Sequence, residues 1–315
     1  MVSDPPRGPA SLTGVVDAFS ALALLGAALS ALPALLPSAH FMLDNLNAFA
    51  PQLLLALLPL LGLSLWKKRW KTAAVTALVA ALQLVQLVPH RAPALAPASG
   101  PTVRWLVANV QIDNPDRARL AALIARERPE LVGLLEPDRR WLEALAPALT
   151  DYPYRVEHPL PNHFGVALYS RLPLQDAGLG ELGRSPTIIA HVRLGDRPLR
   201  LALVHPVPPV NATWAAARDD QLARIAALRP PAGGGLVVAG ALNATAYSAA
   251  YRGSFGAAPF TRAGGLTGTF PAALPAPLRI AIDHALSAGP VALEQRVGPP
   301  IGSDHLPLLL RAGFR

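Results

Sequence analysis

The chain has 315 residues, of which 52% are hydrophobic and 15% charged, with a mean hydropathy of +0.34. About a quarter of the residues of an ordinary soluble domain are charged, so this composition argues against disorder, a coiled coil and a wholly soluble enzyme. The chain has no cysteine, which excludes disulfides and thiolate metal or catalytic sites. The net charge is +8, of which residues 101–315 contribute +5 through scattered arginines, too little for the clustered basic surface of a nucleic-acid-binding protein.

Three apolar stretches open the chain, at about residues 15–36, 48–66 and 72–88. About 20 apolar residues cross a bilayer, so the first two are long enough and the third, which contains Gln83 and Gln86, is shorter. Two spans, a buried helical bundle and a cleaved signal peptide are the alternatives, although the start lacks a signal peptide's basic segment. We predict an α-helical membrane region of about three spans within residues 1–88, with the lipid bilayer as its partner.

The segment from Trp66 to Lys71 has four basic residues between and beside two tryptophans. Short basic loops with flanking tryptophans are typical of the cytoplasmic side of a membrane. Three spans would then place everything beyond residue 88 outside the cytoplasm, as the extracytoplasmic domain of an integral inner-membrane (cytoplasmic-membrane) protein. If the third stretch does not span, the side is reversed.

Residues 89–101 contain four prolines together with alanine, serine and glycine, and are typical of a linker. Beyond them short β-type runs alternate with helical patterns, which predicts a sheet-rich α/β domain over residues 102–315. The predicted strands are Val103–Val110, Leu131–Leu135, Val166–Tyr169, Thr187–Arg193, Leu199–Val204, Leu236–Ala239, Ile282–Leu286 and Leu306–Leu310. The predicted helices run from the capping sequence at Asn114 to about Arg128, over Trp141–Leu149 and over Thr213–Leu228.

Polar side chains stand at the ends of these strands, where loops on a rigid scaffold commonly hold active sites. They are Asn109, Glu136, His205, Asn243, Asp283, Asp304 and His305. Each alone has an ordinary structural explanation, such as a turn residue or a solvated strand end. Together they suggest one site at one sheet edge.

This ordered set resembles the endonuclease/exonuclease/phosphatase superfamily, which has the deoxyribonuclease I-like fold. The resemblance covers about residues 102–315. The matching marks are Asn109, Leu134-Leu-Glu136, Gly165–Pro173, His205-Pro206, Ala239-Gly240 with Asn243, Ile282-Asp283-His284, and Ser303-Asp304-His305 with Pro307. The resemblance implies a four-layer β-sandwich with flanking helices and metal-dependent cleavage of phosphate esters.

The resemblance also implies roles for these side chains. Glu136, with Asn109 and Asp304, would hold a hard divalent cation, Mg²⁺ or alternatively Mn²⁺. His305, held by Asp283, would pair with the phosphate or assist proton transfer, and His205 would hydrogen-bond a phosphate oxygen. Asn243 would orient the attacking water or the phosphate. Asn162 and His163, just before Gly165, are weaker candidates for contact with substrate.

One position departs from the family pattern. The family has Gly-Asp-x-Asn where this chain has Gly240-Ala241-Leu242-Asn243. The missing aspartate is the family's group that positions and deprotonates water, and general-base catalysis contributes about 10²–10⁴-fold. Ala241 is therefore either a substitution introduced to inactivate an enzyme or a feature of a natural relative that does not hydrolyse. The intact surrounding set favours the first explanation.

The sequence thus predicts a membrane-anchored, metal-dependent phosphodiesterase or phosphatase, impaired by Ala241. A membrane anchor favours a lipid-borne or other extracytoplasmic phosphate ester as substrate. Two alternatives are a nuclease of the same fold, for which the scattered basic residues are unfavourable, and a protein that binds a phosphorylated ligand without turnover. Nucleic acid is not expected as a partner, and no protein partner is predicted.

Overall fold

The computed structural model describes residues 12–35, 40–88 and 98–315. The chain divides into two compact units, Met1–Pro89 and His90–Arg315. Most of the predicted linker, residues 89–97, and the first eleven residues lie outside the described part, as do residues 36–39.

The first unit is helical, with α1 (Leu12–Leu35), α2 (Phe41–Asn47), α3 (Ala50–Trp66) and α4 (Trp70–Leu87). Among the described residues, α4 is the one helix long and apolar enough by itself to cross a membrane, with a hydropathy of 1.3. Helices α2 and α3, which meet at a bend of 63°, are long enough to cross a membrane only if the two together form one span. The apolar part of α1, Ser20–Pro33, is shorter than a membrane span requires. The three-span arrangement is therefore not confirmed.

Polar side chains lie inside this helical unit. The Asn47 amide donates to the Ser30 carbonyl at 2.6 Å and to the Gln86 side chain at 2.8 Å, and the Gln83 amide donates to the Ala27 carbonyl at 2.6 Å. Several large apolar side chains are instead exposed on the unit's surface, among them Leu22, Leu25, Leu55, Leu58, Leu78, Leu84 and Val85. An apolar cluster of Ala27, Leu57, Leu60 and Val79 also lies inside the unit, so its apolar side chains are found both inside and on the surface, whereas a water-soluble bundle presents its polar face to solvent.

The second unit contains two six-stranded mixed sheets. The first has the order β11-β12-β1-β2-β4-β3 and the second the order β5-β6-β7-β8-β10-β9. The strands are β1 (Thr102–Asn109), β2 (Leu131–Leu135), β3 (Tyr154–His158), β4 (Val166–Ser170), β5 (Gln175–Gly180), β6 (Thr187–Leu194), β7 (Arg197–Val204), β8 (Gly235–Ala241), β9 (Phe260–Arg262), β10 (Asp283–Ala288), β11 (Val291–Val297) and β12 (Leu308–Phe314).

Helices cover the outer face of each sheet. The helices are α5 (Ala118–Glu127), α6 (Arg139–Leu145), α7 (Ala212–Ala226) and α8 (Ala249–Phe255), with short 3₁₀ helices at Ala146–Leu149 and Ala276–Leu278. One apolar core contains residues of both sheets, one packs α5 and α6 on the first sheet, and one packs α7 and α8 on the second. Four layers result, so the predicted sandwich of two sheets with flanking helices is confirmed.

Local differences from the prediction have identifiable causes. The helix predicted from Asn114 begins at Ala118, because the Asn114 side chain donates to the carbonyls of Val110 and Ile301 and accepts from the Asp116 amide. Helix α8 and the strands β3, β5, β9 and β11 were not predicted; all four of these strands are sheet edges.

The topology gathers strand ends at one edge of the sandwich. β1 and β2 are parallel, as are β7 and β8, whereas β12 runs antiparallel to β1 and β10 antiparallel to β8. The carboxyl ends of β1, β2, β7 and β8 therefore lie beside the amino ends of β10 and β12. Every strand-end side chain selected from the sequence belongs to this edge.

Candidate active site

Glu136 lies just beyond β2, and the local backbone aims it at the neighbouring strand. Its φ is +63°, and its amide donates to the Gly165 carbonyl at 2.8 Å. A Cβ on Gly165 would lie 2.0 Å from the Pro137 carbonyl oxygen, so only glycine allows this close approach. The left-handed backbone and the tight crossing together fix where the carboxylate stands.

The Glu136 carboxylate is contacted by three polar side chains. The Asn109 amide, at the end of β1, donates to Oε1 at 2.7 Å, and Nδ1 of His163 lies 2.8 Å from Oε2. Nε2 of His205, which follows β7, lies 3.7 Å from Oε1. The carboxylate is 12% exposed and His163 is 60% exposed, so this group borders solvent on the side of His163.

Asp283 and His305 form a second, buried pair. His305 Nδ1 lies 2.9 Å from Asp283 Oδ2, and the Thr269 hydroxyl donates to the same oxygen at 2.5 Å. Burial raises the pKa of Asp283, but the charge and hydrogen bond of His305 and the hydrogen bond of Thr269 outweigh it, and the pKa lies below its ordinary value. Burial likewise lowers the pKa of His305, but Asp283, with Asp304 and Glu136, raises it overall. The pair therefore favours an imidazolium beside a carboxylate.

The pKa of His205 is shifted in the opposite direction from that of His305. Burial lowers the pKa of His205, and the attraction of Glu136 does not reverse the effect. Its Nδ1 is buried without a hydrogen-bond partner. The two imidazoles of the site therefore have pKa values shifted in opposite directions, down for His205 and up for His305, so they differ in how readily they carry a second N–H donor.

Asp304 is half-buried in the loop before β12. Burial, and then Glu136, raise the pKa of Asp304 above its ordinary value. The Asp304 amide donates to the Gln111 side chain at 3.0 Å. A cation bound near both carboxylates would offset this effect of Glu136 on Asp304.

Ala241 is the last residue of β8, and Asn243 lies two residues beyond it. Asn243 has a φ of +50°, donates from its side chain to the Pro206 carbonyl at 2.8 Å, and accepts at its carbonyl from Arg218 at 3.0 Å. Ala241 is fully buried and lies opposite Asp283 in the β8–β10 register. An acidic side chain at position 241 would therefore face the Asp283–His305 pair.

A cleft of about 710 Å³ opens beside His163. Its lining includes Asn162, His163, Arg139, Arg140 and Asp113. Asn162 uses its side-chain oxygen to accept from the Phe164 amide at 3.0 Å, which turns the chain into β4. The cleft provides room for a substrate beside His163, which contacts the Glu136 carboxylate.

The donor set fits a hard divalent cation bound by oxygen ligands rather than a metal held by several histidines or cysteines. In the described part of the chain, no three His, Cys, Asp or Glu side chains are arranged to hold a metal by themselves. Mg²⁺ commonly uses only one or two carboxylates and retains several waters. Glu136 and Asp304 are two carboxylates at the same edge of the sandwich, and the Asn109 amide lies beside Glu136, so the residue types present fit that requirement.

The structure brings together most of the side chains selected from the sequence. Asn109, Glu136, His163 and His205 are in direct proximity, and electrostatic interactions connect His205 with Asp283 and His305. The sequence pattern did not indicate two further residues of the site, Thr269, which orients the Asp283–His305 pair, and Gln111, which orients the Asp304 backbone. Both lie in loops, and a single sequence carries no pattern that would have identified them.

Comparison with known proteins gives a family match. The profile described as "Endonuclease/Exonuclease/phosphatase family" matches residues 106–305, which contain all the strand-end residues above. No curated protein matches the chain.

Solved structures share the fold at low identity. An endonuclease/exonuclease/phosphatase from Bacteroides vulgatus is 19% identical, with 68% of this chain and 99% of that chain covered and a TM-score of 0.56. Sphingomyelinase C from Streptomyces griseocarneus is 18% identical, with coverage of 68% and 99% and a TM-score of 0.53. D. rerio TDP2, solved with a single-strand DNA product, is 16% identical, with coverage of 67% and 99% and a TM-score of 0.53. These structures establish the fold of the second unit.

Proposed function

This chain belongs to the endonuclease/exonuclease/phosphatase family, and we propose that it is a membrane-anchored, metal-dependent phosphodiesterase or phosphatase acting on a lipid-borne phosphate ester. Members of this family are phosphoester hydrolases that generally use divalent metals. The observation that carries the proposal is the convergence of Glu136 and Asn109 with the Asp283–His305 pair at one sheet edge. The sphingomyelinase likeness is compatible with a lipid phosphodiester, and it contributes the fold alone.

The side chains divide the work around the phosphate. Glu136, Asp304 and Asn109 would hold the cation, Mg²⁺ or alternatively Mn²⁺, which when bound neutralises charge on a phosphoryl oxygen. His305, kept protonated by Asp283, donates a hydrogen bond to a phosphate oxygen or a proton to the leaving group. His205 is a neutral donor to the phosphate, and Asn243 orients the phosphate or the incoming water.

The helical unit supports the membrane part of the proposal. Its exposed surface is rich in leucine and its buried side chains include Asn47, Gln83 and Gln86, an arrangement suited to lipid outside and helix–helix hydrogen bonds inside. Trp66 and Trp70 are 74% and 65% exposed at the basic turn between α3 and α4, where interfacial anchors are expected. We place this turn in the cytoplasm and the second unit outside it.

Ala241 should impair catalysis, because the position that faces Asp283 has no carboxylate to deprotonate water. The deciding experiment is hydrolysis of bis-p-nitrophenyl phosphate in detergent, with Mg²⁺ and then Mn²⁺, by the chain and by its Ala241→Asp variant. We expect turnover in the variant and a rate lower by about 10²–10⁴-fold in the parent. Glu136→Gln in the Ala241→Asp background is the matched control and should remove both turnover and stabilisation by metal.

Two outcomes would redirect the assignment. If both proteins are folded and stabilised by metal but inactive on the probe and on phospholipids, the chain binds a phosphorylated ligand without turning it over. If neither is stabilised by metal, the proposed cation site is wrong.

A further inference from the structure

An exposed loop beside the site has no polar side chain over nine residues. From Phe270 to Leu278 the sequence is Phe-Pro-Ala-Ala-Leu-Pro-Ala-Pro-Leu, and residues 273–278 are all exposed. Leu274 is 39% and Leu278 49% exposed. Soluble surfaces rarely present a continuous apolar segment without a binding role.

The loop is held in a defined shape. The Arg279 guanidinium donates to the carbonyls of Leu274, at 2.7 Å, and Ala272, at 3.1 Å. Backbone bonds close its turns, from the Leu274 amide to Pro271 and from the Leu278 amide to Pro275. The apolar side chains are therefore presented on an ordered support.

The base of the loop is part of the candidate active site. The Ala272 amide donates to the Asp304 carbonyl at 2.7 Å, and the Phe270 ring lies 4.9 Å from the His305 ring, centroid to centroid. A surface that contacts residues 273–278 is therefore close to Asp304 and His305, which the proposed function assigns to the cation and to the phosphate.

A second apolar loop begins at the same edge of the sandwich, at the end of β7. Residues 206–210, Pro-Val-Pro-Pro-Val, follow His205 directly, and Val210 is 68% exposed. We call the two loops together, residues 206–210 and 270–278, the apolar rim. Among the residues of the second unit that the structure describes, 98–315, three of the five exposed large apolar side chains (Val210, Leu274 and Leu278) belong to this rim.

We propose that the apolar rim docks on the surface of a phospholipid bilayer and delivers the lipid's phosphate to the site. The rim has no charged side chain with which to contact nucleic acid or an acidic protein, whereas interfacial membrane contacts are made by apolar side chains at the level of the headgroups. The inference deepens the proposed function and rests on its membrane-anchored, lipid-directed part.

The test uses the full-length chain in phospholipid vesicles. Because the chain has no cysteine, Leu274→Cys provides a single attachment point for an environment-sensitive fluorophore. The matched control is Asp196→Cys, in the exposed β6–β7 turn at the opposite end of the strands. Emission is recorded in vesicles of phosphatidylcholine and phosphatidylglycerol, with and without a nitroxide-labelled phospholipid.

We expect the label at position 274 to shift to shorter wavelength and to lose emission with the nitroxide lipid, while the label at 196 does neither. Equal emission and equal quenching at the two positions would overturn the proposal. This readout requires no turnover, so it separates failure of docking from failure of the phosphoesterase assignment.

A second measurement connects docking to substrate. In the Ala241→Asp background, the double substitution Leu274→Asp and Leu278→Asp should reduce hydrolysis of phospholipid in vesicles and leave hydrolysis of soluble bis-p-nitrophenyl phosphate unchanged. Unchanged hydrolysis in vesicles would contradict the inference.

Discussion

Introducing an aspartate at position 241 should have a cost in stability that the structure allows us to estimate. Ala241 is fully buried and faces Asp283 across the β8–β10 register. Opposite residues on antiparallel strands have Cβ atoms about 4.5–5.5 Å apart. Two carboxylates about 5 Å apart at an effective dielectric of about 20 repel by about 3 kcal/mol.

We therefore expect Ala241→Asp to lower the unfolding free energy of the second unit by about 3 kcal/mol in the absence of metal. For a domain of this size 1 kcal/mol corresponds to about 2–4 °C, so the melting temperature falls by about 6–12 °C. Mg²⁺ should recover part of this loss, because a ligand that binds only the native state stabilises it. Calorimetry in detergent, with Mg²⁺ and with a chelator, measures both effects.

The matched control is Ala241→Asn, which has nearly the same volume and no charge. It should melt above the aspartate variant, respond less to Mg²⁺ and remain inactive. If the two variants melt together and respond alike to metal, position 241 does not share a pocket with Asp283 and the electrostatic reasoning is refuted.

Two further predictions follow from the same edge of the sandwich. Asp283→Asn breaks a buried pair and should lower the unfolding free energy by about 3–5 kcal/mol. The lowered pKa of Asp283 stabilises the fold above its ordinary value of 3.8, and the raised pKa of His305 stabilises it below its ordinary value of 6.5. The loss of stability in the variant should therefore be largest between pH 3.8 and 6.5 and should shrink as the pH rises through the raised pKa of His305. Chemical unfolding from pH 4 to 9 measures it, and a deficit that grows with pH would contradict the pairing. Gly240→Ala would place a Cβ 1.9 Å from the Val204 carbonyl oxygen at a φ of +147°, so the melting temperature should fall sharply, whereas Gly253→Ala, where a Cβ meets nothing within 4 Å, should leave it unchanged or raised. Equal melting of the two glycine variants would show that β8 does not pack against Val204 in this way.

The interior strands could be predicted from the sequence because they are buried on both faces. β2 and β4 are buried at every position, and strands of this kind appear as continuous apolar runs. The polar residue at the end of each run then marks the sheet edge. For this reason Glu136 and His205 could be selected as site residues without coordinates.

The four strands that the sequence analysis missed, β3, β5, β9 and β11, are the outer strands of the two sheets. β5, Gln175–Gly180, is largely exposed, and β9 has three half-buried residues. An edge strand has hydrogen-bond partners on one side only, and its sequence need not be apolar. Pairing with an interior neighbour makes such a segment a strand.

The features of the site also separate into those that local sequence determines and those that depend on tertiary contacts. The sequence by itself determined which strand ends have polar side chains, because the alternation of apolar runs and polar ends is local. Only the tertiary structure decided the partners, since Asn109 and Glu136 are 27 residues apart and Asp283 and His305 are 22 apart. The contact between His163 and Glu136 and the left-handed backbone at Glu136 both depend on the close approach of the chain at Gly165. This approach joins segments that are distant in sequence, and no single-sequence pattern encodes it.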